Sequence, residues 1–293
     1  MSDRPNGATR IVVVTVVRGR HDHLRAQHRS LAAGRRPPDH VVVVAMADPE
    51  VAGIVASGPL ADRTSVLPVE AGPRLPLARA RNTGAGAALS ADPTALLIFL
   101  DVDCLVGPGL VEGYFDAWQR TRVGRNLFAG TVGYLPPPDG PTYDERQIAG
   151  TPPHPARPVP APREVLAAPD LRLFWSLSFA LDGPTWRAVG GFDEAYDGYG
   201  AEDTDFGQRA QGAGARMWWV GDAHAFHQWH PVSRPPVEHL ADIVRNANRF
   251  HDRWGWFPME GWLDDFARAG LVDWEPARGR LALTERAVPG PAG

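Results

Sequence analysis

Short apolar runs alternate with amphipathic segments along the first hundred residues. The runs at 11–17, 41–47 and 95–100 are too short for most helices and long enough to cross a sheet as buried strands. A shorter strand is expected at 65–68. The segments between these strands predict helices at 24–33, 49–57 and 77–90. Strands that alternate with helices indicate an α/β fold built on βαβ units.

The pattern changes after residue 135. Residues 136–169 contain 11 of the 29 prolines and little apolar periodicity, which predicts an ordered excursion or a mobile lid. Regular elements then resume. We expect strands at 171–181 and 216–220 and helices at 204–211, 237–253 and 259–269.

Composition and net charge limit the kinds of molecule that the protein is expected to bind. The 293 residues are 44% hydrophobic and 22% charged, as in ordinary globular proteins, and the net charge of -4 gives no sign of nucleic-acid or anionic-membrane binding. Cys104 is the single cysteine, so intrachain disulfides and thiolate metal clusters are excluded. No apolar stretch approaches the roughly 20 residues that span a bilayer, and residues 1–10 lack a signal-peptide core, so we expect a cytoplasmic protein.

Two carboxylates follow the apolar run 95–100. Asp101 and Asp103 stand where that strand leaves the sheet, the usual place for ligands in open α/β sheets. If the chain stays extended, residues two apart point to one side. Hard oxygen ligands of this kind suit Mg²⁺ or Mn²⁺. The alternative is an acidic turn, with Asp103 capping a helix that begins near Pro108.

A second acidic cluster, Glu202, Asp203 and Asp205, follows a glycine-rich turn and opens a predicted helix. A helix N-terminus favours ionised carboxylates, so we expect it to lower their pKa and keep one able to accept a proton from a hydroxyl. The alternative is structural, because Asp203 or Thr204 could simply cap the helix.

Histidines and tryptophans are concentrated in the second half of the chain. His224, His227 and His230 recur at a spacing of three, and one of them could complete a metal site at Asp103. Otherwise they are partly buried polar residues with backbone partners. Nine of the ten tryptophans follow residue 174, and most should serve packing, while one or two could stack on a sugar ring.

Five short segments are informative because of the order in which they occur. They are VVRGRHDHL at 16–24, ARNTG at 80–84, DVD at 101–103, GGFDE at 190–194 and YGAEDTD at 199–205. Together they resemble the GT-A-fold glycosyltransferases, specifically the family-two enzymes and the C-terminal region of the β-1,4-galactosyltransferases. The resemblance implies a mixed sheet flanked by helices, with a catalytic domain over 10–231 that includes 136–169 as an insertion or lid. A helical Trp-rich extension over 232–285 and flexible ends at 1–9 and 286–293 complete the predicted organisation.

The resemblance also implies roles for individual residues. Donor binding would involve Arg18, Arg20, Asp48, Arg81, Asp101 and Asp103. Metal binding would involve Asp103 directly, Asp101 directly or through water, and a histidine, with His227 the first choice and His230 the second. Asp203 would be the catalytic base, oriented by Glu202, and Trp175, Tyr199 and Asp205 would contact the acceptor. Arg81 could instead form an ion pair on a helix surface.

The activity implied is metal-dependent transfer of a hexose from a nucleoside-diphosphate sugar, with UDP favoured, to a hydroxyl of a saccharide or small molecule. Inversion is favoured because retaining relatives tend to carry E-N where this chain has E-D. Tyr199, Ala201 and Val16 depart from the galactosyltransferase pattern, which leaves the acceptor open, as the oligomeric state is. The alternatives are a non-catalytic sugar-nucleotide-binding protein on the same fold and a sugar-phosphate nucleotidyltransferase. The latter usually carries an early lysine-bearing glycine loop that this chain lacks.

Overall fold

A computed structural model describes residues 9–121, 123–140 and 142–287. The ends predicted to be flexible, 1–9 and 286–293, lie almost entirely outside the described residues. Among the residues that are described, no helix is long and apolar enough to cross a membrane.

The strands follow the predicted alternation and add several that the apolar pattern did not indicate. They are β1 (Ile11–Val17), β2 (His40–Met46), β3 (Thr64–Val69), β4 (Leu96–Leu100), β5 (Cys104–Val106), β6 (Arg125–Tyr134), β7 (Val165–Ala168), β8 (Ser178–Asp182), β9 (Ala215–His227), β10 (Val272–Glu275) and β11 (Arg280–Leu283). The α-helices are α1 (His21–Ala33), α2 (Glu50–Ala56), α3 (Leu77–Ala91), α4 (Leu110–Arg120), α5 (Glu145–Ala149), α6 (Gly183–Val189), α7 (Glu202–Gly212), α8 (Leu240–Trp254) and α9 (Glu260–Arg268).

One mixed sheet organises the fold, in the order β3-β2-β1-β4-β8-β6-β9-β5, with β7 also paired to β9. Strands β1 to β4 run parallel to their neighbours in this half of the sheet. Strand β8 is antiparallel to both β4 and β6, whereas β6 and β9 are again parallel to each other. The predicted mixed sheet flanked by helices is therefore confirmed.

Alternate side chains of the sheet enter two separate cores. Along β1, Ile11 and Val13 pack with α1, α2 and α4, whereas Val12 and Val14 pack with α3, α6 and α7. Helix α3 lies very close to the sheet, since a Cβ on Gly84 would come within 2.5 Å of Val14 Cγ1. The glycine of the ARNTG segment therefore permits this close packing of helix on strand.

One predicted strand ends where it was expected, and another is shorter. Strand β4 ends at Leu100, as the apolar run predicts, and Asp101 to Asp103 form a turn before β5 instead of an extended continuation. Within 171–181 only the last residues form β8, because Leu171 and Phe174, three residues apart, both pack towards α7 in the core. A spacing of three suits the short 3₁₀ turn Leu171–Leu173 better than a strand.

Strand β9 is longer than expected and reaches His227, because its second half pairs with both β5 and β6. A helix at the position of α4 was expected only in the alternative in which Asp103 caps it, whereas α4 begins at Leu110 after the N-cap residue Gly109 and has no side-chain cap. Strand β6 and the hairpin β10–β11 were not predicted as elements. The C-terminal region packs α8, α9 and this hairpin around a core of its own, built on Ile243, Phe266 and similar side chains. The extension is thus helical with an added hairpin.

The Pro-rich segment 136–169 is attached to the sheet along its length. Strand β7 pairs with β9, and the His154 N–H donates to the Val132 carbonyl at 2.9 Å. Farther along, the Gly221 N–H donates to the Glu164 carbonyl at 3.0 Å. The described residues of this segment lie along β6 and β9, and β7 pairs with the first half of β9. A lid function for the segment stays a prediction.

Candidate active site

The carboxyl ends of β1, β2 and β4 meet at one edge of the sheet because these strands are parallel. The loop after β1 carries Arg18 and Arg20, the loop after β2 carries Asp48, and the turn after β4 carries Asp101 and Asp103. Side chains that are distant in sequence therefore surround a single site, as the strand pattern predicts.

Asp103 is the centre of a group that suits a divalent metal ion. Its Oδ2 atom lies 3.5 Å from His227 Nε2 and 3.7 Å from His230 Nε2, and one ligand atom from each of the three residues lies within 4.8 Å of the others. Its Oδ1 atom is buried and accepts no hydrogen bond in the described part of the chain. A carboxylate with two imidazoles can hold a divalent transition-metal ion. Arg20 Nη1 also donates to Oδ2, at 2.9 Å.

Strand pairing explains why His227 meets Asp103. Strands β5 and β9 are antiparallel with Cys104 opposite His227, and the Gln228 N–H donates to the Asp103 carbonyl at 2.7 Å. The ring of Tyr134, at the end of β6, stacks on the His227 ring with 4.9 Å between centroids. The histidine is therefore held by two strands and an aromatic neighbour.

The third histidine of the set has a structural role. His224 Nδ1 forms a hydrogen bond with Thr131 Oγ1 on the neighbouring strand β6. Burial lowers the pKa of His224, so the neutral ring is favoured. His224 is the partly buried polar residue expected for one of the three.

Arg81 joins the two acidic clusters. It is buried within α3, and Nη2 donates to Asp101 Oδ1 at 3.0 Å while Nη1 donates to Glu202 Oε1 at 3.1 Å. The alternative of a surface ion pair is wrong, because Arg81 is only 4% exposed. Its guanidinium holds the turn after β4 against the start of α7, whereas the resemblance implied a contact with the diphosphate or base.

The carboxylates that Arg81 joins remain difficult to ionise. Burial raises the pKa of Asp101, and the charge of Asp103 adds to this effect although Arg81 opposes it. Burial and the neighbouring Asp203 raise the pKa of Glu202 to about 7, again against Arg81. Asp101 is also outside the metal-binding group found around Asp103. Its predicted direct or water-mediated metal contact stays a prediction.

Asp203 has the environment of a proton acceptor. Its Oδ1 atom accepts a hydrogen bond from the Thr204 N–H at 2.6 Å. Burial raises its pKa, opposite to the direction expected from the helix N-terminus, because desolvation outweighs the hydrogen bonds and the charge of Arg81. Neither Asp203 nor Thr204 caps the helix, since the N-cap residue is Ala201 with φ 71° and no side-chain cap.

Asp205 lies away from the site. It is fully buried, and its Oδ1 accepts hydrogen bonds from Trp254 Nε1 at 2.9 Å and from Arg253 Nη1 at 3.2 Å. Both donors belong to the last turn of α8. This packing ties α7 to the C-terminal extension. The acceptor contact predicted for Asp205 stays a prediction, and the proposed function does not depend on it.

The loop after β1 is held by Asp48. Its Oδ2 accepts from the Gly19 N–H at 2.7 Å and lies 2.9 Å from His21 Nε2. Although burial acts to raise it, these hydrogen bonds lower the pKa of Asp48 below its usual value. Arg18 is exposed and donates to the Gly72 carbonyl at 2.8 Å. Asp48 therefore shapes this loop, and its contact with the base stays a prediction.

Aromatic side chains flank the second acidic cluster. Trp175, before β8, lies with its face against the guanidinium of Arg157, 3.5 Å from the ring centroid. Tyr199 is 37% exposed and stacks on His239 with 4.5 Å between centroids. Both aromatics therefore lie beside other side chains, and Tyr199 keeps an accessible part.

Sequence reasoning missed Gln27, which fixes the turn after β4. Its Nε2 donates to the carbonyls of Asp101 at 2.7 Å and Cys104 at 3.1 Å, while its Oε1 accepts from Thr15 Oγ1 at 3.0 Å. A signal was present, because Gln27 stands on the apolar face of α1 where only a satisfied polar group is tolerated. Arg157 and Tyr134 were also missed.

Comparison with known proteins agrees with this architecture. A family model described as the N-terminal domain of galactosyltransferase matches residues 171–241. Two relatives, both named Validoxylamine A glucosyltransferase, come from Streptomyces hygroscopicus subsp. jinggangensis and subsp. limoneus. Each is 28% identical over 196 residues, which cover 59% of this chain and 44% or 41% of the relative. The chain thus spans less than half the length of these relatives.

Solved structures share the fold. The structure of S. aureus TarS 1-349 has a TM-score of 0.53 at 14% identity, covering 82% of this chain and 64% of that one. GalNAc-T7 with UDP, GalNAc and Mn²⁺ also gives 0.53 at 14% identity, covering 90% and 57%. TarS 1-349 in complex with UDP-GlcNAc gives 0.53 at 13% identity, covering 82% and 66%. The predicted GT-A fold and the relationship to glycosyltransferases are confirmed.

Proposed function

We propose that this protein is a metal-dependent, inverting glycosyltransferase that moves a hexose from a nucleoside-diphosphate sugar to a hydroxyl acceptor. The observation that carries the proposal is the convergence of Asp103, His227 and His230 at the sheet edge where GT-A proteins bind their donors. The relationship to proteins named glucosyltransferases supports the class of reaction.

UDP is the favoured nucleotide. Two of the structural neighbours were solved with UDP or UDP-GlcNAc. In this chain, Arg18, Arg20 and Asp48 lie on the loops after β1 and β2, next to the turn that carries Asp103. The name of the relatives favours glucose as the hexose to test first.

The metal would be held by Asp103, His227 and His230, with Mn²⁺ or Mg²⁺ as the ion. When bound, a divalent ion neutralises negative charge on the diphosphate leaving group as a Lewis acid. Arg20 donates a hydrogen bond to the carboxylate of Asp103, so its guanidinium would also contact the diphosphate of the donor. The buried Oδ1 atom of Asp103 accepts no hydrogen bond from the described residues, so it can serve as a ligand to a metal ion.

Asp203 would take the proton from the acceptor hydroxyl. A general base works best when its pKa approaches the working pH, and burial moves Asp203 in that direction. Glu202 would orient the start of α7 through Arg81. The acceptor oxygen would then attack C1 on the face opposite the diphosphate, and the bond from C1 to the diphosphate oxygen would break, so that the nucleoside diphosphate leaves and the anomeric centre inverts. Nearby carboxylates favour the oxocarbenium-like transition state.

The acceptor would be a saccharide or another small molecule with a free hydroxyl. The exposed part of Tyr199 and the ring of Trp175 provide aromatic surface beside Asp203. Sugar rings present apolar faces that pack well on such surface. The acceptor of the relatives, as their name gives it, is validoxylamine A, and it is the first acceptor to test.

The principal alternative is a protein that binds sugar nucleotides without turnover. Both candidate functions predict the same affinity for UDP. They differ in whether Asp203 acts as a base. We expect Mn²⁺-dependent hydrolysis or transfer from a panel of UDP-hexoses, abolished by a chelator, with the product anomer read by NMR. Affinity for UDP and Mn²⁺ without turnover of any UDP-hexose would favour the binding protein instead.

A further inference from the structure

An arginine of the Pro-rich segment packs on Trp175, one of the residues predicted to contact the acceptor. Arg157 is half-buried, with its guanidinium 3.5 Å from the ring centroid of Trp175 and 5.9 Å from that of Trp219. Its Nη1 donates to the carbonyl of Ala156 at 3.0 Å. In the chain as described, no carboxylate forms an ion pair with it, in contrast to Arg81 and Arg20.

The backbone around Arg157 is held in place. The Arg157 N–H donates to the His154 carbonyl at 3.1 Å, the His154 N–H donates to Val132 on β6, and Pro153 forms a β-bridge with Gly133. The ring of His154 also packs on the edge of Trp175, with 5.1 Å between centroids. The guanidinium is therefore positioned before any substrate arrives.

Arg157 lies close to the residues around the predicted metal site. Burial lowers its pKa to about 10, although the charge of Asp203 acts to raise it. The ring of His154, whose carbonyl accepts the Arg157 N–H, lies 5.7 Å from the ring of Tyr134. Tyr134 is the residue that stacks on His227. A cation that is partly desolvated and lacks a counter-ion costs stability, and such groups are concentrated where a charged ligand binds.

We propose that Arg157 binds an anionic phosphate oxygen of a substrate in the active site, an inference that rests on the proposed function. The planar guanidinium presents a fork of N–H donors that matches phosphate geometry, and Trp175 holds its plane. Two sources share this chemistry: the diphosphate of the donor, and a phosphate carried by the acceptor. The Pro-rich segment then supplies part of the substrate site itself.

The first test uses inorganic pyrophosphate with the full chain in the presence of a chelator, so that the metal-binding residues do not contribute. Titration calorimetry should show binding that weakens at least tenfold in Arg157→Gln, because charge-assisted hydrogen bonds are lost. Arg146→Gln is the matched control, since Arg146 is an exposed arginine of the same segment and its loss should change nothing. Thermal unfolding of both variants checks that the fold is intact.

The second test titrates UDP in the presence of Mn²⁺. A similar loss of UDP affinity in Arg157→Gln identifies the donor diphosphate, whereas unchanged UDP affinity with weakened pyrophosphate binding identifies the acceptor phosphate. Arg157→Lys keeps the charge and should recover part of the affinity. The inference is overturned if pyrophosphate does not bind the wild type, or binds Arg157→Gln equally well, as expected if Arg157 only packs on Trp175. Pyrophosphate binding that depends on Arg157 in a chain without turnover would refute the proposed function alone.

Discussion

The two acidic regions look alike in sequence, but the carboxylates of each region bind different partners in the structure. In the turn after β4, Asp101 is paired with Arg81 while Asp103 faces two histidines. At the start of α7, three carboxylates have three different partners. Glu202 pairs with the same arginine, Asp205 bonds to the C-terminal extension, and Asp203 receives no hydrogen bond from an arginine among the described residues.

In each cluster some carboxylates hold structure, while Asp103, which the exposed Arg20 also binds, and Asp203 are the members left for the proposed chemistry. Arg81 is the shared element, because a single buried guanidinium binds one acid from each region and fixes their separation. Spacing in the sequence identifies the clusters, and the location of the partner cation decides which member stays available. The predictions below test that division.

The largest effect is expected for Arg81→Met. Removing the guanidinium leaves the buried Glu202 and the partly exposed Asp101 without their counter-ion, and breaking a buried pair costs about 3–5 kcal/mol. Urea denaturation measures the free energy of unfolding. The control is Arg79→Met, an exposed arginine of the same helix, for which a change within about 0.5 kcal/mol is expected. Equal stability of the two variants would show that Arg81 does not join the clusters.

Asp203→Asn should mainly affect turnover. The substitution keeps the shape and removes the proton acceptor, so kcat should fall by about 10²–10⁴-fold, the usual contribution of general acid–base catalysis. Steady-state kinetics with the active UDP-hexose measures this, and calorimetry should find UDP affinity unchanged. A kcat equal to that of the wild type would remove Asp203 from the catalytic step.

Asp205→Asn should show the opposite behaviour. The carboxylate is fully buried and accepts hydrogen bonds from Trp254 and Arg253, so its loss should lower the free energy of unfolding by about 2 kcal/mol. Activity of the folded fraction should remain, because Asp205 does not face the site. If the variant is as stable as the wild type and loses acceptor binding, the acceptor role from the resemblance is correct.

The smallest effect concerns the pH dependence of stability. The pKa of Glu202 is raised to about 7 in the folded protein, so the folded state binds this proton more tightly than the unfolded state does. Its contribution is present below pH 4.5, the ordinary pKa, and is lost as the pH rises through 7. Glu202→Gln should therefore reduce the fall in stability between pH 5 and pH 8.

Denaturation at the two pH values measures that difference. Glu145→Gln, at the exposed start of α5, is the matched control and should leave the slope unchanged. An identical pH dependence in Glu202→Gln and the wild type would mean that Arg81 keeps Glu202 fully ionised across this range.

Much of the first half of the fold could be predicted from sequence, because β1, β2 and β4 are built on continuous apolar runs. Strand β1 has the predicted bounds, and the position of Asp101 and Asp103 at a strand end follows directly. Strand β6 was missed because its glycines and polar residues interrupt the apolar pattern. Its Gly130 is required by packing, as a Cβ there would lie 1.9 Å from the Ala223 carbonyl oxygen.

The site could be predicted at the level of clusters and not of pairings. His227 was chosen as a metal ligand by resemblance, while its approach to Asp103 depends on the β5–β9 register, which no local pattern reveals. The burial of Arg81 likewise depends on two distant carboxylates, and the contact of Arg157 with Trp175 depends on how the Pro-rich segment crosses the sheet. All three features depend on contacts between residues that are far apart in the sequence.

The most direct test of the account is a Mn²⁺ titration followed by electron paramagnetic resonance on the wild type, Asp103→Asn, His227→Ala and His224→Gln. We predict one bound ion in the wild type and in His224→Gln, whose ring contacts Thr131. Binding should be weakened at least tenfold in Asp103→Asn and His227→Ala, since both remove a ligand. Undiminished Mn²⁺ binding in these two variants would contradict the claim that this group holds the metal.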